Sequence, residues 1–289
     1  MQPFRTDDTT ARDAIAAIVR QPYDQVNRHL RSLENAGVLR RRGSSLRIVP
    51  DLLGDVVLAD AAYDRNDPLG TGYLARIEPL VTGASAENLF VNVCRVDWQI
   101  KQRRDDAHSL TDSLWSVLNQ RLEAADIPER VQVVELLAKV GYFQPARALR
   151  AARWLMDHPT DTPPTGSIAR ALLRPFAYDE VLHALPAVHA RAALDYETVN
   201  EALNQLWDLA RNDDRPTNQY PSHPLRVLCD IAEIRPGKPI AYLEAVIDKA
   251  RTWFSDDVPF SPFDVLEPLL ATEGATTRAV KHNITFQPF

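Results

Sequence analysis

Apolar residues recur at helical spacing along residues 10–35, in two runs separated by a Gln-Pro step. The apolar positions are Ala14, Ile15, Ile18 and Val19 in the first run, and Val26, Leu30 and Leu33 in the second. A period near 3.6 residues indicates amphipathic helices, and the Gln21-Pro22 step indicates a tight turn between them. The pattern therefore predicts helix, turn, helix, with Val26, Leu30 and Leu33 of the second helix facing the core.

A hairpin signal follows the second helix. Gly37 stands where a helix ends in a left-handed cap, and the letters VLRRRGSSLRIVP predict two short strands around a Gly-Ser turn. Helix, turn, helix and hairpin is the order of a winged helix, which normally has one more helix in front. Only about nine residues precede the first helix here. We therefore expect residues 1–50 to be a truncated winged helix, with the chain beginning partway through the domain.

Helical patterns continue from residue 51 to about residue 270. Segments 133–159 and 226–259 share one layout, a helix, a short Pro-containing turn and a second helix with a tryptophan near its end. Segment 182–216 repeats it without the matching central proline. Trp154, Trp207 and Trp253 are 53 and 46 residues apart, a period that fits HEAT or armadillo helix pairs. We predict a right-handed α-solenoid over residues 51–270, with these tryptophans packed in its interior.

The helical pattern ends in the last residues, 271–289. The letters NITF alternate between polar and apolar, which is a strand signal. A single strand beside a helical array has no partner for its backbone groups, so we expect a further segment to follow it. The fold class predicted for the whole chain is mainly α: a truncated winged helix, a HEAT/armadillo-like α-solenoid, and a short β-like tail at the C-terminus.

Composition narrows the protein class. No apolar run approaches the roughly 18 residues that span a bilayer. The start MQPFRTDDTTARD carries acidic residues where a signal peptide needs a basic and then an apolar stretch. We therefore predict a cytoplasmic protein. Cys94 and Cys229 are far apart and each lies beside aliphatic residues, which indicates buried free thiols instead of a disulfide or a zinc site.

The net charge of -6 is unevenly distributed. Residues 1–50 hold nine arginines against five acidic residues, a net +4. The rest of the chain holds 24 basic and 34 acidic residues, a net -10. Because an acidic body repels nucleic acid, any contact with DNA would be confined to the basic front.

No motif of phosphate-binding, nucleophilic or metal chemistry is present: the sequence contains no GxxxxGK[ST], GxGxxG, GxSxG or HExxH. His183 and His189 are six residues apart with a proline between them, a spacing that does not favour metal binding. The pairs Asp213-Asp214 and Asp256-Asp257 lie in polar stretches typical of solvated turns. We predict no enzyme activity, cofactor or metal. A further hypothesis is an enzyme with an unfamiliar site in the solenoid groove. It predicts a deep pocket with clustered titratable groups.

The second helix and the basic hairpin form the candidate interaction surface. Gln25, Arg28, Arg31 and Ser32 are expected to face outward from the helix, as in a helix that reads a major groove. The candidate residues for nucleic-acid or core docking are Arg28, Arg31, Arg40, Arg41, Arg42 and Arg47. Charged residues on wing strands also serve as solvated protection of a sheet edge, so this surface is compatible with a protein contact as well as with phosphates.

The stretch LRRRGSSLRIVPDLLGDVVLADAAYD resembles the region that follows the nucleotide-binding core in STAND-type signalling ATPases, the NACHT and AP-ATPase relatives. In many of them the last wing strand leads into a Met-His-Asp-Leu motif whose histidine touches the nucleotide phosphate. The corresponding residues here are Val49, Pro50, Asp51 and Leu52. Pro50 replaces the histidine, so Pro50 and Asp51 resemble a remnant of a nucleotide-sensing motif. Asp51 also suits the first turn of a helix through the helix dipole.

The resemblance implies a non-catalytic regulatory region of a switch ATPase. Its winged helix would pack on an ATPase core lying before residue 1, and its solenoid would bind a macromolecular trigger, with antiviral defence a frequent setting of bacterial relatives. The alternative is a transcription regulator in which Arg28, Arg31 and the wing bind duplex DNA and the helical region is the effector domain. A steep loss of duplex affinity with salt would distinguish the two.

Overall fold

Helices dominate the computed structural model, which describes residues 4–49, 51–64, 71–104, 108–160, 177–233, 240–254, 260–270, 274–277 and 285–287. A three-stranded antiparallel sheet lies near the N-terminus and a two-stranded sheet near the C-terminus. The chain divides into two compact units, Met1–Arg121 and Leu122–Phe289. No helix in the described residues is both long and apolar enough to cross a membrane.

The N-terminal unit starts with a short strand, two helices and a hairpin, and continues with further helices. Its elements are β1 (Phe4–Arg5), α1 (Thr9–Val19), α2 (Tyr23–Asn35), β2 (Leu39–Arg42), β3 (Ser45–Ile48), α3 (Asp51–Ala62), α4 (Tyr73–Ile77), a 3-10 turn (Glu78–Leu80), α5 (Gly83–Lys101) and α6 (Asp112–Ala124). The two helices, the turn and the hairpin predicted from the sequence are all present.

Local signals fix the ends of the first two helices. The Asp8 side chain accepts a hydrogen bond of 3.2 Å from the Ala11 N–H, which satisfies one of the free donors at the start of α1. Gly37, with φ of +75°, lies in the left-handed region as predicted and reverses the chain after α2. These caps set the spacing between the helix pair and the hairpin.

The strand order of the N-terminal sheet is β1-β3-β2. Leu46 pairs with Phe4 on one side and with Arg41 on the other, so the inner face of the sheet includes two buried apolar side chains, Phe4 and Leu46. They form a small core with Ala11 of α1. Leu33 was predicted to face the core, which is wrong: its side chain is 42% exposed.

The C-terminal unit is a succession of helices with a small sheet after them. Its elements are α7 (Ile127–Val140), α8 (Pro145–Asp157), α9 (Asp179–Ala184), α10 (Pro186–Ala192), α11 (Val199–Arg211), α12 (Pro224–Ala232), α13 (Ile240–Trp253), α14 (Pro262–Leu270), β4 (Gly274–Thr277) and β5 (Thr285–Gln287). Helix α7 begins with a capping box, in which the Asp126 carboxylate accepts from the Glu129 N–H at 2.9 Å.

Packing in this unit joins helices that are close in chain order. Helix α7 contacts α8, α9 and α10, helix α10 contacts α11 and α12, and helix α11 contacts α12 and α13. Among the described helices of the unit, the main contacts span no more than three places in this order. The core of this unit is therefore built mainly by helices that lie near one another in the sequence.

Two of the three repeat tryptophans form the centre of the core. The Trp207 and Trp253 rings stack with centroids 4.3 Å apart and an interplanar angle of 4°, and both side chains are buried, as predicted. Phe260 packs edge-on against Trp207 at 5.0 Å. Trp154 differs, because it is only partly buried and stacks on His158, with the Arg130 guanidinium 5.1 Å from its ring centroid.

The C-terminal strand has a partner. Residues Thr285–Gln287 pair antiparallel with Gly274–Thr277, with Gly274 opposite Gln287. The expectation of a single strand without a partner is therefore wrong. The letters GATT of the partner strand contain no alternation of polar and large apolar residues, so the periodicity of the sequence did not reveal it.

Neither Cys94 nor Cys229 forms a disulfide, and both thiols are buried, as predicted.

Candidate functional site

Arg28 and Arg31 lie on the exposed face of α2, as predicted. Asp24, also exposed, belongs to the first turn of the same helix. The Ser32 hydroxyl donates a 3.1 Å hydrogen bond to the Arg28 carbonyl, so it is engaged with the helix backbone. The outward face of α2 therefore offers two cations, with a carboxylate on the same helix.

Arg41 is held in an ion pair and joins the hairpin to α2. Its Nε and Nη2 atoms each donate to the Glu34 carboxylate at 2.9 Å, a two-pronged contact. The hydrogen bond from Arg41 holds the pKa of Glu34 below its ordinary value, which keeps the carboxylate charged. This ion pair holds the hairpin against the end of α2. It also neutralises the Arg41 charge that binding of a phosphate would require.

The remaining arginines of the hairpin lie on the outer face of the sheet. Arg40 is directly opposite Arg47 in the register, and both are exposed. Arg42, two residues after Arg40, shares their face because side chains alternate along a strand. The opposite face carries Leu39 and Leu46, which are buried. The outer arginines therefore point away from the side of the sheet that packs on α1 and α2.

The candidate residues consequently fall into separate groups. Arg28 and Arg31 are on α2, and Arg41 is neutralised by Glu34. The arginines on the outer face of the sheet are Arg40, Arg42 and Arg47. Pro50 lies outside the described residues. Asp51 begins α3 as its first residue, and its side chain lies outside what the structure describes. The described candidate arginines thus lie on two different elements, helix α2 and the outer face of the hairpin, with Arg41 paired to Glu34.

A cluster of charged groups that the sequence did not reveal lies in the loop between α11 and α12. The predicted solvated role of Asp213 is wrong, because its side chain is 5% exposed. Arg215 donates hydrogen bonds to both carboxylate oxygens, from Nε to Oδ1 at 2.9 Å and from Nη2 to Oδ2 at 2.7 Å. The Nε2 atoms of His183 and His223 each lie 3.9 Å from the same carboxylate.

This cluster holds the loop in place. The His223 Nδ1 atom accepts a 3.1 Å hydrogen bond from the Leu225 N–H and caps α12. Burial works against the charge on Asp213, yet the hydrogen bonds from Arg215 outweigh it, and the pKa of Asp213 is lowered. The Arg215 guanidinium also lies over the Tyr220 ring, 4.8 Å from its centroid. The contacts of the cluster thus connect the loop to α9 through His183 and to the start of α12 through His223.

A second buried polar network centres on His189, which is fully buried between α10 and α11. Its Nδ1 donates to the Leu185 carbonyl at 2.8 Å, and its Nε2 lies 2.9 Å from the Gln205 amide oxygen. Gln205 in turn donates to Glu201 at 3.0 Å. Burial lowers the pKa of His189, and the nearby Leu185 carbonyl and Gln205 amide oxygen oppose that shift only in part. The histidine is therefore neutral in the folded protein at neutral pH.

Comparisons with protein-family models, with curated proteins and with solved structures find no match to this chain. The relation to STAND-type ATPases therefore rests on the resemblance of sequence layout alone.

The buried histidines predict that acid destabilises the fold. Burial lowers the pKa of His189 and of His223 below the ordinary value of 6.5. The unfolded chain therefore takes up protons below about pH 6.5 that the folded chain does not, and the free energy of unfolding falls as the pH drops. The slope is at most about 1.4 kcal/mol per pH unit for each histidine.

Chemical denaturation between about pH 5 and pH 7.5 measures this dependence. We expect His189→Gln to flatten it, because the variant removes one group of lowered pKa. His29→Gln is the matched control, since His29 is exposed on α2, and it should keep the wild-type dependence. Parallel curves for wild type and His189→Gln would contradict the account.

The separation of the arginines predicts weak contact with DNA. We expect the protein to bind a duplex of about 20 base pairs more weakly than about 100 μM at about 50 mM salt, because only Arg28 and Arg31 share an accessible helix face. Fluorescence anisotropy with a labelled duplex measures this affinity.

A tighter, steeply salt-dependent affinity would overturn that expectation. The paired variants Arg28→Ala/Arg31→Ala and Arg40→Ala/Arg42→Ala would then show which surface carries it. Loss of about two units in the slope of log affinity against log salt in the first pair alone would assign the contact to α2.

Proposed function

We propose that this chain is a non-catalytic regulatory region of a STAND-type signalling ATPase. Its N-terminal unit would act as a winged helix that packs on an ATPase core in the same polypeptide. Its C-terminal unit would act as a HEAT/armadillo-like helical array that binds a macromolecular trigger in the cytoplasm, in a setting such as antiviral defence. The proposal has three supports, each from a different part of the chain.

The first support is the order of the N-terminal elements. Strand β1, helices α1 and α2, and the β2-β3 hairpin follow one another, and the sheet order β1-β3-β2 places the first strand beside the hairpin. This order resembles that of a winged helix without its leading helix, and the resemblance supports the proposal. The Arg41–Glu34 pair stabilises the hairpin against α2, as suits a rigid docking piece.

The second support is the packing of the C-terminal unit. Helices that contact mainly their neighbours in chain order are typical of repeat proteins, whose stacked pairs create extended surfaces for macromolecules. The stacked Trp207 and Trp253 rings connect α11 to α13 and give the array a continuous core.

The third support, an exposed aromatic edge, carries the proposal most directly. Tyr142 follows α7, and Leu194 and Tyr196 follow α10; their side chains are 41%, 44% and 66% exposed. The Tyr242 hydroxyl of α13 donates to the Leu194 carbonyl, so the start of α13 contacts the turn that follows α10. Tyrosines are enriched where proteins bind proteins, because they combine a large apolar area with a polar tip.

A DNA-binding regulator is the second candidate, and the exposed pair Arg28 and Arg31 on α2 favours it. Two observations argue against it: Arg41 is neutralised by Glu34, and Arg40, Arg42 and Arg47 lie on the outer face of the sheet instead of beside Arg28 and Arg31 on α2. Protein docking requires no continuous basic surface, so it agrees better with this geometry.

Translation of the source locus in frame, upstream of the codon for Met1, tests the proposal. We expect a GxxxxGK[ST] segment a few hundred residues earlier, which would supply the phosphate-binding loop of the ATPase core. A stop codon directly upstream, with a ribosome-binding site, would contradict the presence of a core in the same polypeptide and would favour the DNA-binding regulator.

A further inference from the structure

A cavity of about 510 Å³ lies inside the N-terminal unit. It is bounded by the inner side of the sheet, by α1 and α2, and by α3, α4 and α5. Its walls are mostly aliphatic, and six of the lining residues are Ile15, Ile18, Leu39, Leu58, Ile77 and Leu89. This volume lies in the range of sites that hold small organic molecules, which are typically apolar with a few polar groups that orient the ligand.

Polar residues of α3 and α5 also line this cavity. The Arg95 Nη2 atom donates to the Asp55 carboxylate at 2.5 Å and to the Asn92 amide oxygen at 3.3 Å. Gln99 donates to the second Asp55 oxygen at 3.2 Å. Both oxygens of this buried carboxylate thus accept hydrogen bonds from the protein. The carboxylate is only 10% exposed, so the guanidinium is the more accessible charge of the pair.

Three residues of this lining carry side-chain donors for an anion: Arg95, Tyr73 and the exposed Arg47. The Arg95 side chain is 34% exposed, and its Nη1 atom has no hydrogen-bond partner among the described residues. The Tyr73 hydroxyl likewise has no hydrogen-bond partner in the described part of the chain, and Tyr73 lines the cavity. Burial raises the pKa of Tyr73 above its ordinary value, so the hydroxyl stays protonated and can donate at neutral pH.

We propose that this cavity binds an amphipathic small molecule with one carboxylate and a linear apolar body of roughly ten carbon atoms. The Arg95 guanidinium and the Tyr73 hydroxyl bind the carboxylate, and the aliphatic walls cover the body. Charge complementarity favours an anion, because the Asp55 oxygens are already engaged while the guanidinium keeps free donors. The inference does not depend on the proposed function, since it concerns a cavity within the N-terminal unit alone.

Three ligands of equal chain length separate the head group from the body. Titration calorimetry on the full chain with decanoate, decan-1-ol and decylamine compares an anionic, a neutral and a cationic head. We expect decanoate to bind at least about 10-fold more tightly than decan-1-ol, because hydrogen bonds to charged groups are the stronger ones, and decylamine to bind weakest. Equal affinities for decanoate and decylamine, or no binding of decanoate, would overturn the proposal.

Variants at the mouth locate the site. Val57 lines the cavity and is 50% exposed, whereas its neighbour Val56 is 56% exposed and is not among the lining residues. We expect Val57→Trp to weaken decanoate binding at least about 10-fold by filling the cavity, and Val56→Trp to leave it unchanged. The same effect of both substitutions would place the ligand elsewhere and contradict the proposal.

The head-group contact has its own test. Arg95→Gln alone would leave the buried Asp55 carboxylate without its cation, so the variant for this purpose is the double substitution Asp55→Asn/Arg95→Gln. We expect it to abolish the preference for decanoate over decan-1-ol while decan-1-ol still binds. An unchanged preference in a folded double variant, checked by circular dichroism, would refute the role of Arg95.

Discussion

The packing of apolar helix faces against other helices is the constraint on which the C-terminal unit depends. An amphipathic helix cannot cover its own apolar face, so it is stable only against a neighbour. The stacked rings of Trp207 and Trp253 form a contact between α11 and α13, and Phe260 packs edge-on against Trp207. His189 and Gln205 add a buried polar contact between α10 and α11, which specifies how these two helices align.

In the N-terminal unit, a polar contact determines which residues stay available for binding. The Arg41–Glu34 pair ties the hairpin to α2 and removes one cation from the basic stretch. The sheet register then turns Arg40, Arg42 and Arg47 away from the helices. A stretch that looks in sequence like one basic surface is thereby divided. The proposal of a docking domain, instead of a DNA reader, follows from this division.

Local patterns predicted the elements, and long-range contacts account for what they missed. The periodicity of residues 10–35 and the Gly-Ser turn predicted α1, α2 and the hairpin because these signals reside in neighbouring residues. Strand β1 has two residues and depends on pairing with Leu46 and Ser45, more than 35 positions away. The burial of Asp213 depends on Arg215 and on histidines from two other parts of the chain. The Asp55–Arg95 pair joins residues 40 positions apart, and no motif marks it.

Hydrogen exchange with mass spectrometry on wild type and on Trp207→Ala tests the neighbour-covered array most directly. Loss of this buried ring should cost about 3–5 kcal/mol, a value typical of large aromatic side chains in cores. In an array that loss falls mainly on the adjoining helices. We predict a strong loss of protection in α11 and α13, a smaller one in α10, and unchanged protection in α7 and α8. A uniform loss of protection from α7 to α14 would show that the unit unfolds as one cooperative body and would contradict the account.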